Sequence, residues 1–126
     1  MPSLSPPTLA FLGTFVRSQL HIDILLLLCR DTARWWHAGQ LAAELGVPED
    51  GILDALEQLA SSNLLDVRIG STLSYRFSPV DEAARTAMCE AVQRPYEARE
   101  AIARQTRRPR AAERIAEAFR IRKSDG

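Results

Sequence analysis

Between Gly39 and Leu65 the chain reads GQLAAELGVPEDGILDALEQLASSNLL, two apolar stripes of helical period parted by a few residues that only a tight turn accommodates. In the first, Gly39 to Leu45, the residues Leu41, Ala42 and Leu45 point inward, and Gly46 supplies the left-handed residue that closes a short helix. Pro48 suits the first turn of the next helix, where its missing amide proton would have had no partner anyway. There Ile52, Leu53, Leu56, Leu59 and Ala60 form the inward face, leaving Asp50, Asp54, Glu57, Gln58 and Ser61 outside. Asn63 stands where this helix needs a left-handed cap, and a strand follows at once.

The flanking segments supply the rest of a core. Pro6 and Pro7 end a leader, and a helix from Thr8 to Phe15 carries Leu9, Leu12, Phe15 and Val16 on one side as an N-terminal brace. From Arg17 to Arg30 a stripe of Leu20, Ile24, Leu27 and Leu28 is widened by Ile22, Leu25, Leu26 and Cys29, so nearly the whole helix is apolar and belongs at the centre. Asp31 and Thr32 break it, and Trp35 and Trp36 read as a short extended piece with one or both rings in the core. Leu65, Val67 and Ile69 alternate with Asp66 and Arg68, then Leu73, Tyr75 and Phe77 with Ser74 and Arg76, around the turn Gly70, Ser71, Thr72. Period-two runs about a glycine turn predict a β-hairpin.

Ser78, Pro79 and Asp81 signal a further helix start, and Val80, Ala84, Ala87, Met88, Ala91 and Val92 predict a helix from Pro79 to Arg94. After Pro95 a helix over Tyr96 to Gln105 has Tyr96, Ala98 and Ile102 as apolar points. Beyond the break Arg107, Arg108, Pro109, Arg110, a last helix from Ala111 to Arg122 sets Ala111, Ile115, Ala118 and Phe119 on one side. The expected division is a leader and brace over 1–16, a central domain over 17–78 and a basic helical extension over 79–126.

Charge is distributed unevenly. The formal net charge is zero, yet residues 1–93 carry six Arg against eleven Asp or Glu, while residues 94–126 carry ten Arg or Lys against five acids. Arg104, Arg107, Arg108, Arg110, Arg114, Arg120, Arg122 and Lys123 make that segment the main phosphate-seeking stretch, unless pairs such as Glu100 with Arg104 absorb its charge. Cys29 and Cys89 are too few and too far apart in sequence for a disulfide framework or a zinc site, which leaves buried thiols, no metal and no cofactor as the expectation. The apolar run Ile24 to Cys29 is far shorter than a bilayer span, and the proline-bearing start lacks a secretory pattern, so a cytoplasmic location with no membrane partner is expected. His21 reads as a packed core residue and His37 as a helix-start residue. Neither has a neighbouring nucleophile or carboxylate cluster, so no catalytic residue is expected and the chain does not read as an enzyme.

LAAELGVPEDGILDALEQLASSNLL followed by the hairpin DVRIGSTLSYRF resembles the bacterial winged-helix superfamily that includes MarR-like and ArsR-like transcriptional regulators, over roughly residues 17–78. The ends of the chain are similar to small stand-alone winged-helix proteins. The resemblance implies a mainly α fold, a winged helix-turn-helix with a two-stranded wing and a helical C-terminal extension. It also implies that the groove-reading positions fall on Glu49, Asp50, Gly51, Leu53, Asp54 and Glu57. Four carboxylates there repel phosphate, whereas a groove-reading helix ordinarily brings cations or neutral polar groups. The expectation is therefore a non-enzymatic regulator of transcription-factor type whose DNA contacts come from wing residues Arg68 and Arg76 with Arg107, Arg108, Arg110 and Arg114. The alternative is an interaction or adaptor module that has lost DNA binding and offers Glu49, Asp50, Asp54 and Glu57 to a protein partner or a second copy.

Overall fold

The structure is a computed structural model and describes residues 4–105. In chain order its elements are α1 (Pro6–Phe15), α2 (Gln19–Arg30), β1 (Trp36–His37), α3 (Ala38–Leu45), α4 (Glu49–Ser61), β2 (Leu65–Ile69), β3 (Leu73–Phe77) and α5 (Glu82–Gln93). Residues 95–105 form a further helix, α6.

α2 is the hub because its sequence leaves almost no polar face. Ser18 caps it, the hydroxyl accepting the His21 N–H at 3.2 Å, and Ile22, Ile24, Leu25 and Leu28 are enclosed. α4 and α5 both pack on it, bringing Ile52, Leu56, Leu59 and Met88 into the same core. α1 lies along α5, where the Ser5 N–H and hydroxyl donate to Glu90 Oε1 at 3.0 and 2.9 Å. α6 closes the α1–α2 corner. The Gln105 amide donates to the Leu12 and Val16 carbonyls at 3.3 and 2.6 Å, and Arg99 pairs with Asp23. Ala98 and Ile102 bury beneath it.

The turn chemistry is as the sequence predicts. Gly46 closes α3 at φ +67° and Asn63 follows α4 at φ +62°, both left-handed. Asn63 delivers the chain into β2, which pairs antiparallel with β3 through Leu65↔Phe77, Asp66↔Arg76, Val67↔Tyr75, Arg68↔Ser74 and Ile69↔Leu73.

The expected two-stranded wing is present as β2 and β3, and β1 joins it into a three-stranded sheet of order β1-β3-β2, because Trp36 and His37 pair with Tyr75 and Ser74. Pro48 precedes α4 as its cap residue and lies outside its first turn. α5 begins at Glu82, after Asp81 accepts the Ala83 N–H at 3.0 Å, and Val80 is left outside it. Four residues assigned to the core are exposed: Leu9 (44%), Leu53 (40%), Val80 (84%) and Tyr96 (74%). Each continues an apolar pattern in the sequence yet faces solvent. Phe11 and Thr8 are buried on α1 instead, and Ala55 on α4. The basic run Arg107, Arg108, Arg110, Arg114 and the last expected helix lie outside the described residues. No single helix among those described is long and apolar enough to cross a membrane.

Candidate functional site

The helix-turn-helix places α4 with one face on α2 and α3 and the other in solvent. Glu49, Asp50, Asp54 and Glu57 are all exposed on it, and it carries no Lys or Arg. Glu49 and Asp50 complement the positive end of their own helix. Glu57 is close to the sheet: burial first, then the Glu57 carboxylate, push the Tyr75 phenol above its ordinary range.

Cations collect elsewhere. Strand alternation gives the sheet a core face with Trp36, Leu65, Tyr75 and Phe77, and an outer face with Trp35, His37, Asp66, Arg68, Ser74 and Arg76. On the outer face the guanidinium carbons of Arg68 and Arg76 stand 4.4 and 4.5 Å from the Trp35 ring centroid. Arg34 stacks instead on the core-face Trp36, at 3.7 Å. Arg76 also donates Nε and Nη2 to Asp66 Oδ2, both at 3.2 Å, so one of the two outer-face arginines is partly neutralised. His37 ties this face to the start of α3. Its N–H donates to Gln40 Oε1 at 2.9 Å, and its Nδ1 meets Thr72 Oγ1 at 3.1 Å, Ser74 Oγ at 3.3 Å and the Leu73 carbonyl at 3.3 Å.

The sequence identified Arg68 and Arg76 and missed Trp35 and Asp66 as their companions. The signal was present in the run Arg34, Trp35, Trp36, His37, which is carried beside the wing once β1 pairs with β3. Of the two tryptophans only Trp36 is core, while Trp35 is half-exposed. The expected Glu100 to Arg104 pair is present at 3.8 Å.

Beyond the sheet tip the core face runs out of cover. Val67, Leu73 and above all Ile69 are exposed, at 43%, 42% and 83%. All three lie on the face that holds Tyr75, so the inward alternation read from the sequence ends in a bare apolar strip.

Two further places hold chemistry. Cys29 of α2 and Cys89 of α5, sixty residues apart in sequence, line one cavity of about 310 Å³ with Phe77, Arg85, Met88 and Val92. The packing of α2 on α5 brings them together, and Cys89 is exposed where a buried thiol was expected. Burial, then the neighbouring Cys89 charge, push the Cys29 thiol up to about 12. His21 is buried as expected: its Nδ1 accepts the Arg17 N–H at 3.1 Å, and burial holds its pKa below the ordinary value. It lines a cavity with Arg17, Glu57 and Gln58. Among the described residues no group of three or more His, Cys, Asp or Glu side chains is placed to hold a metal ion.

No protein-family model matches the chain, and no curated protein sequence matches it. In structure the chain is similar to the transcriptional repressor BigR from Xylella fastidiosa, with a TM-score of 0.50 and 19% identity, over 65% of this chain and 78% of that one. With six helices among the described residues and a small antiparallel sheet whose hairpin follows the helix-turn-helix pair, the fold of this protein is a winged helix-turn-helix.

Proposed function

We propose that the protein is a non-enzymatic regulator of the bacterial transcription-factor type, contacting DNA through the outer face of the sheet and the basic C-terminal segment. Arg68, stacked on Trp35, then meets phosphates from the outer face, with Arg76 beside it held by Asp66, and Arg107, Arg108, Arg110 and Arg114 extend the contact along the chain. One observation carries this reading: exposed cations gather on the sheet while the second helix of the helix-turn-helix is purely acidic among its charged residues. The fold shared with a protein described as a transcriptional repressor supports the regulatory class. Contacts of this kind are to phosphate, so binding is tolerant of sequence and falls steeply with salt.

The test is a gel-shift titration of the full chain against random duplex at low and moderate salt, beside the Arg68→Ala variant. The expected result is a complex that weakens with salt and whose salt slope is about one unit shallower in the variant. Equal affinity of variant and parent, or a complex indifferent to salt, overturns the proposal.

A second reading is favoured by the exposed apolar residues Val67, Ile69 and Leu73 on the face of the sheet that holds Tyr75, the phenol that the Glu57 carboxylate acts on. An apolar patch with an acidic border suits a protein partner better than a phosphate backbone. In that case the protein is an interaction module, and Asp54→Arg/Glu57→Arg abolishes partner capture while the gel shift stays blank throughout.

A further inference from the structure

We propose that the outer edge of β2 pairs with the same strand of a second copy, joining two three-stranded sheets into one of six strands. The sheet order leaves β3 in the middle and β2 at the rim, with no further strand beside it among the described residues. A five-residue strand at a rim presents a row of unpaired N–H and C=O groups, a template for another strand. Proteins usually blunt such edges with Pro, Lys or a bulge. β2 reads Leu65, Asp66, Val67, Arg68, Ile69 and contains neither Pro nor Lys, while Val67 and Ile69 are bare.

The occupant is selected by symmetry and charge. An antiparallel pairing of two identical strands centres on one residue. Centred on Val67, it sets Asp66 opposite Arg68 of the second copy and Arg68 opposite its Asp66, two complementary contacts from one sequence. Leu65 then faces Ile69, and Val67 faces Val67, all on the apolar side. Shifting the centre by one residue either way brings Asp66 against Asp66 or Arg68 against Arg68, which repel. Half-residue shifts turn charged side chains toward apolar ones. Only one register satisfies both faces. Arg68 is positioned for it, since stacking on Trp35 at 4.4 Å leaves the N–H edges of the guanidinium available to a carboxylate. Asp66 then lies between Arg76 of its own chain and Arg68 of the other.

A five-residue ladder buries less than the ~1,600 Å² of a standard interface, so the expected dissociation constant is on the order of micromolar or weaker. The pairing draws on the same Arg68 that the DNA reading gives to phosphate, so the two compete for it, and the test of the pairing contains no nucleic acid. Full-length chains carrying Cys89→Ser and one new cysteine are oxidised mildly at micromolar concentration, and dimer formation is followed on non-reducing gels. Val67→Cys, at the twofold axis, should crosslink roughly tenfold faster than Ser71→Cys in the exposed turn. Adding Arg68→Asp to Val67→Cys should slow it by a similar factor, as should adding Asp66→Lys. Mixing those two charge variants should restore it, because across each mixed pair the substituted positions again carry opposite charges and the unaltered Arg68 of one chain meets the unaltered Asp66 of the other. Light scattering of the unmodified chain should show a mass rising with concentration, and Arg68→Asp should hold it lower. Equal crosslinking at Val67 and Ser71, or no recovery on mixing, overturns the proposal. Circular dichroism of each variant excludes misfolding as the cause of a lost crosslink.

Discussion

Replacing Asp66 by asparagine should tighten DNA binding and steepen its dependence on salt, the opposite of what loss of a merely structural ion pair would do. Arg76 gives both Nε and Nη2 to one Asp66 oxygen at 3.2 Å, so its charge is largely committed inside the sheet. The two side chains are 36% and 45% exposed, and a pair so wetted contributes only ~0.2–1 kcal/mol to folding. The strand ladder and the Trp35 stack hold Arg76 in place without it. Removing the carboxylate releases one cation for phosphate and deletes one repulsive charge from the same face. One additional phosphate contact raises the slope of log affinity against log salt by ~0.9, so a fourfold change in salt alters the variant's affinity by a further factor of ~3.5. Fluorescence anisotropy of a labelled random duplex, titrated with protein at a series of salt concentrations from about 50 to about 200 mM, reads this slope directly. A slope equal to or shallower than that of the parent refutes the assignment of phosphate contact to the outer face of the sheet.

Two more outcomes follow from buried groups. At neutral pH iodoacetamide should modify the exposed Cys89 and spare Cys29, whose thiol is pushed up to about 12, until denaturant opens the α2–α5 contact; equal labelling of both by mass spectrometry contradicts the packing. His21 accepts the Arg17 N–H only when neutral, and burial keeps its folded pKa below the ordinary 6.5, so the unfolded chain takes the proton first. Stability from this group is complete above that value and is lost as pH falls below it, at up to ~1.4 kcal/mol per pH unit. Thermal melts across this range should show the decline in the parent and a flatter profile in His21→Gln; parallel profiles rule it out.

Much of the fold was legible because its signals are local. Gly46 and Asn63 occupy left-handed positions that few other residues tolerate, and alternation in β2 and β3 set their pairing before any contact was known. The errors lie at the edges of stripes. Leu53 and Val80 continue an apolar pattern yet face solvent, since a helix read alone does not say how wide a neighbour covers it. Arg68 and Arg76 could be identified as the wing's cations, but not that Asp66 holds one of them.

The sequence by itself determined which segments become helix and strand, and that the second helix of the pair is acidic, because propensity, capping and charge belong to neighbouring residues. Only the tertiary structure decided that Trp35 joins the wing arginines, that Cys29 meets Cys89 and that β2 is left at the rim. Each of these depends on which distant strand or helix lies alongside, and that is settled by burial of the whole core around α2 and not by any local pattern.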